Sequence, residues 1–129
     1  MKLQKCAVIV SIFVATIMTS AKAADKFISF SKAEGAALLF SDKETVKIQV
    51  DANEHKGVLR AVASLASDIK EVSACPSLIG QFDDARIIIG SLDKSATIQQ
   101  LAKKKVININ ELKGKKEKYI IKVVGNQLI

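Results

Sequence analysis

Histidine, cysteine and the large aromatics are scarce in this chain: its 129 residues hold one histidine, two cysteines, no tryptophan and one tyrosine. Each scarcity excludes something. A lone histidine, His55, does not make a metal cluster, which takes several ligands at set spacing; it reads as a surface residue in the first turn of a helix. Cys6 sits inside an N-terminal apolar run and Cys75 stands alone downstream, so no disulfide framework is available. Cys75 reads as a small, partly buried thiol ahead of Pro76. Tyr119 is the one aromatic among the C-terminal lysines, where a nucleic-acid surface would interleave several, so no nucleic-acid partner is expected. The serines are scattered without a histidine–acid arrangement, which leaves nucleophilic catalysis unsupported. Asp83 and Asp84, the only adjacent acids, lie in a polar loop with no apolar pocket to raise a pKa; they read as solvated. The sequence contains no internal repeat and no low-complexity linker. No catalytic residue, metal or cofactor is expected.

What is present begins with a leader. Lys2 and Lys5 precede an apolar run from Cys6 to Met18, and Ala21-Lys22-Ala23 has the small-x-small form of a signal-peptidase site. The run is too short for a membrane span. Residues 1–23 therefore read as a signal peptide cut between Ala23 and Ala24, with an exported, periplasmic or secreted mature chain and no membrane partner after cleavage. Residues 24–129 make one small α/β domain, of a size that buries only about 60–65 % of its unfolded surface. Loss of three lysines leaves 17 basic residues against 13 acids, a mild +4.

Along the mature chain, Phe27, Ile28 and Phe30 suggest a short first strand, and Ala36–Phe40 one helical turn. Val46, Ile48 and Val50 alternate with Lys47 and Gln49, which predicts a half-buried strand. Asp51 and Glu54 have capping-box spacing. Val58, Val62, Leu65, Ile69 and Val72 then form the stripe of an amphipathic helix, ended by Ser73-Ala74-Cys75-Pro76. Residues 76–85 read as a loop. Arg86–Ile89 is an apolar strand without alternation, hence central in a sheet. A second helix runs from Ser95 to Lys103 or Lys104, its lysines at the end that favours cations. Val106–Leu112 reads as an extended piece or turn, and Glu117–Val124 as a third strand. Gly125-Asn126 begins a turn, and Leu128-Ile129 looks like the start of a further element, so the domain reads as incomplete. The expected fold is a small twisted sheet of three to four strands with two main helices, in βαβαβ order.

The corner Gly90–Ser95, between the central strand and the second helix, is where such folds bind ligands, because free backbone N–H groups point out of it. Ser91, Lys94 and Ser95 are the candidate substrate-binding residues, able to meet an anion such as a uronate carboxylate; alternatively Ser91 or Asp93 caps the helix and Lys94 is solvated. Arg60 is left open between a neighbouring acid and Glu117. The lysines at 103–105, 113, 115, 116 and 118 read as a solvated face, or as contact with an acidic polysaccharide or a neighbouring domain.

Three blocks resemble the N-terminal domain of glycoside hydrolase family 115, the xylan α-glucuronidases. The first is Val50-Asp51-Ala52-Asn53 with Gly57-Val58, Arg60-Ala61, Leu65-Ala66 and Asp68-Ile69. The second is Ile88-Ile89-Gly90-Ser91-Leu92 with Lys94-Ser95 and Ile98. The third is Leu112-Lys113-Gly114-Lys115 with Glu117 and Tyr119–Val124. They lie within residues 46–124. Ser91 replaces an expected threonine, Asp93 a glycine and Lys116 an aromatic residue, and Ala74-Cys75 stands where the first long helix is expected to end in glycine. The resemblance implies an exported enzyme that removes glucuronic or 4-O-methylglucuronic acid from xylan. It places the chemistry on a following barrel domain, against which this α/β domain packs as structural support. The chain would then be inactive alone. The alternative is a stand-alone periplasmic module that binds an acidic glycan or another protein.

Overall fold

The computed structural model describes residues 28, 29, 31, 33–41 and 44–129. The leader, the Ala23–Ala24 junction, Phe27 and Phe30 lie outside the described residues. The described residues form an α/β fold with five strands and two helices: β1 (Val46–Gln49), α1 (Lys56–Ser73), β2 (Ser77–Gly80), β3 (Ile87–Ile88), α2 (Ala96–Lys103), β4 (Val123–Val124) and β5 (Gln127–Leu128), with a 3₁₀ turn at Ile109–Glu111. The sheet order is β2-β1-β3-β5-β4. Strands β2, β1, β3 and β5 are mutually parallel, and β4 closes an antiparallel hairpin onto β5.

Side-chain alternation along a strand divides the core into two layers. Val46, Ile48 and Val50 from β1 and its end, with Ile87, pack against Val62 and Ile69 of α1. Ile88 looks the other way, with Ala85, Ile98 of α2 and Ile107. This is why Arg86–Ile89 shows no alternation: β3 is central and covered on both faces. Ile48, with no exposed surface, contributes about 1.5–3 kcal/mol through burial.

α1 follows its predicted stripe except at the end. Val72 is 78 % exposed, because an 18-residue helix at ~1.5 Å per residue outruns four-residue strands at ~3.3 Å per residue. The helix stops where Ala74 enters the left-handed region at φ 56°. There the Ser73 hydroxyl donates to the Ile69 carbonyl at 2.6 Å and accepts from the Cys75 amide at 3.1 Å. A Cβ is strained in this conformation. Ala74→Gly should therefore raise stability by about 1 kcal/mol, read as a higher urea midpoint at unchanged slope.

Three expectations are corrected. The region 76–85 holds β2, whose pairing comes from β1 alongside it rather than from any periodicity of its own. The strand expected over Glu117–Val124 shrinks to Val123–Val124: Glu117 has φ 57°, and Tyr119 and Ile121 are exposed. Ala36–Phe40 forms no helical turn; it has no regular secondary structure, and Leu39 packs on the α1 side of the core. The turn at Gly125-Asn126 leads, as expected, into a further element: Gln127–Leu128 is β5, beside β3.

Candidate functional site

From β1 the chain crosses through α1 to β2 on one side, whereas from β3 it continues through α2 to β5 on the other. The strand order therefore reverses between β1 and β3, and a parallel sheet opens a crevice beyond the carboxyl ends of such strands. Two loops meet there: Val50–His55 after β1 and Ile89–Ser95 after β3. The Ile89 amide donates to the Gln49 carbonyl at 2.9 Å and so holds the two strand ends together.

Glu54 is the centre of this corner. It is only 5 % exposed. Its carboxylate accepts the Ser91 amide at 2.5 Å, the Ser91 hydroxyl at 2.7 and 2.9 Å, and its neighbour's amide, His55 N, at 2.8 Å. Burial raises the Glu54 pKa, but the Ser91 and His55 donors outweigh it and hold the carboxyl below its ordinary 4.5. The predicted capping box is not formed: α1 starts at Lys56 with no side-chain cap on His55, and Glu54 reaches across to the β3 loop instead. Beside it, His55 Nε2 lies 2.8 Å from Asp93 Oδ2. The Ser91 hydroxyl and then the His55 ring hold Asp93 below the usual carboxylate range.

The second helix is capped by neither Ser91 nor Asp93. Ser95 caps it, 1 % exposed, with its hydroxyl accepting the Ile98 amide. Of the three candidates, Ser91 and Ser95 line the inner wall of this corner and Lys94 is exposed. The Ser91 amide is taken by Glu54, and Asp93 adds a second negative charge at the mouth.

A polar chain continues onto the α2 side. The Gln49 amide donates to Thr97 Oγ1 at 2.9 Å and to Gln81 Oε1 at 3.3 Å. Gln81 in turn donates to Asp51 Oδ1 at 2.9 Å and to the Val50 carbonyl at 3.0 Å. Sequence reasoning missed Glu54, Gln49 and Gln81 as members of one cluster. Their joint signal is a set of polar residues directly after two apolar strands, and its meaning depends on the strands being neighbours.

Chemically the corner joins two loops through one buried carboxylate. Hydrolysis of a glycoside takes two carboxyls with separated roles, one of them kept protonated. Glu54 accepts from three donors and is shifted down, which suits a fixed anion. Among the described residues no group of three potential metal ligands occurs, and no helix is long and apolar enough to cross a membrane.

At the opposite end of the strands lies a cleft of about 520 Å³ lined by Glu44, Lys47, Asp84, Arg86 and Gln127, among others. Its charges are matched in pairs. Lys47 meets Asp84 at 2.5 Å, and Arg86 pairs with Glu44. Asp84, read from sequence as a solvated acid, thus has a cation beside it, while Asp83 is exposed. Arg60 makes no ion pair among the described residues, and Cys75 is a buried free thiol.

The carboxyls of Glu44, Glu54, Asp84 and Asp93 are all shifted downward. A depressed folded-state pKa stabilises the fold above the unfolded value and loses that contribution as pH falls through the folded value. Stability should therefore be flat with respect to these groups from about pH 6 upward and decline below about pH 4.5. Urea midpoints measured across this range check it; a midpoint that rises on acidification would contradict it.

No protein-family model matches this sequence, and no curated protein matches it.

Proposed function

We propose that this chain is a supporting α/β module of an exported enzyme like the xylan α-glucuronidases it resembles, packing against a catalytic barrel that the 129 residues do not themselves contain. One observation carries the reading. Edge strand β2 presents Leu78 and Ile79 at 46 % and 45 % exposure, on opposite faces of the sheet, with Val72 of α1 bare at 78 %. An edge strand that shows apolar side chains on both faces is suited to being covered. The switch-point corner supports the same role, since its carboxylates are spent on joining two loops. On this reading the module forms part of a wall beside a substrate cleft, and its partner is the barrel with its acidic xylan substrate.

The purified chain should release no glucuronic acid from glucuronoxylan, measured by reducing-end chromatography. Turnover that survives purification and disappears in a corner variant would sink the proposal.

A further inference from the structure

The lysines of the C-terminal third carry an excess of positive charge that no ion pair among the described residues offsets. Residues 103–122 carry eight lysines against Glu111 and Glu117, a net +6, while the rest of the described residues hold six lysines and arginines against nine acids, a net −3. All eight lysines are exposed, and among the described residues none of them forms an ion pair. The segment folds back on itself. Lys105 and Glu117 take left-handed turns at φ 58° and 57°, Gly114 another at 71°, and the Lys122 ammonium donates to the Val106 carbonyl at 2.7 Å. That bond ties the approach to β4 against the exit of α2. The two ends of the lysine-rich segment are thus joined, and it leads into edge strand β4, at the opposite edge of the sheet from β2.

The character of the patch selects its partner. The segment has no arginine, so it offers point charges without the bidentate fork that reads a particular carboxylate or phosphate. It is not a groove with several stacking rings, which argues against a single-stranded nucleic acid. It does contain large apolar side chains in the open: Tyr119 at 77 %, Ile121 at 52 % and Ile109 at 37 % exposure. Diffuse ammonium charge with an exposed tyrosine and isoleucines suits a charged interface into which side chains dip a short way. We infer that this lysine-rich face docks the protein peripherally on an anionic phospholipid surface. The inference is independent of the supporting role above and revises the expectation of no membrane partner. The sequence shows the lysines as a run, and among the described residues no acid pairs with them.

The test is co-sedimentation of the full chain with vesicles of equal parts phosphatidylglycerol and phosphatidylcholine, against vesicles of phosphatidylcholine alone. The leader carries Lys2, Lys5 and Lys22 and favours anionic vesicles on its own account, so its contribution is measured by the lysine variant below, which keeps the same leader, and by repeating the comparison with residues 24–129. Binding should be stronger to the anionic vesicles and fall as salt rises from about 0.05 to about 0.5 M, as the Debye length shrinks. The variant K113Q/K115Q/K116Q/K118Q should lose about a hundredfold or more in partitioning to anionic vesicles. Its thermal midpoint should be unchanged, because these side chains are exposed and form no ion pairs among the described residues. Equal partitioning to both vesicles, or a variant that binds as the parent does, would overturn the inference. So would salt-sensitive binding to soluble polygalacturonate without any preference for anionic vesicles, which would assign the face to an acidic glycan.

Discussion

Gly90→Ala should lower the unfolding free energy by about 2–4 kcal/mol, the sum of overpacking and a disturbed helix cap. Gly90 sits where β3 turns into the loop before α2, and the helix start comes directly against it. A Cβ built at this position would lie 2.7 Å from Ser95 Oγ and 3.0 Å from Ile98 Cγ1, and closer still to Ser95 Cβ. None of these atoms is the free end of a flexible chain. Ser95 is buried and its hydroxyl holds the Ile98 amide, and Ile98 is part of the α2-side core. Relief would require moving the start of α2 away from β3. Gly57→Ala is the control. It lies in the first turn of α1, where an added Cβ meets nothing within 4 Å, so it should stabilise by up to about 1 kcal/mol. Opposite signs in the two urea midpoints would establish close approach at Gly90 as the cause; two small effects of the same sign would remove it.

Glu54→Ala should cost about 3 kcal/mol. The carboxylate is buried and accepts from the Ser91 amide, the Ser91 hydroxyl and the His55 amide. Deleting it strands donors in a place that water does not reach freely, and each buried donor left without a partner costs about 1–3 kcal/mol. Some of this is recovered where the loops relax toward solvent. Glu54→Gln keeps the shape and one accepting oxygen, so its loss should be about half as large. The two variants also differ from the parent in acid. Without an ionisable group at 54, the decline in stability below about pH 4.5 should be shallower. An unchanged acid limb in Glu54→Gln would show that Glu44, Asp84 and Asp93 account for it instead.

These two residues also separate what a reader of the sequence can and cannot see. Gly90 is visible as a glycine between an apolar strand and a helix start, while its close approach to Ser95 and Ile98 is seen only in the fold. Glu54 is visible only as a capping-box partner of Asp51, an inference drawn from residues three apart. Its real partner, Ser91, is 37 positions away, and local spacing carries no signal for it. The same holds for His55 and Asp93, and for the pairs Lys47–Asp84 and Arg86–Glu44. Charged side chains are long and have many exposed partners within reach, so which pair forms depends on which loops the topology brings together.

By itself the sequence determined the β1–α1 and β3–α2 units, the C-terminal ends of both helices, the central place of β3 and the α/β class. These rest on hydrophobic periodicity and helix-stop chemistry, which act over a few residues. Only the tertiary structure decided that Ser77–Gly80 and Gln127–Leu128 are strands, that the order is β2-β1-β3-β5-β4, and that Glu54 bridges two loops. A short strand has no hydrogen-bond partners of its own. Its conformation is supplied by the neighbour it pairs with, and that neighbour is chosen by the packing of the whole sheet.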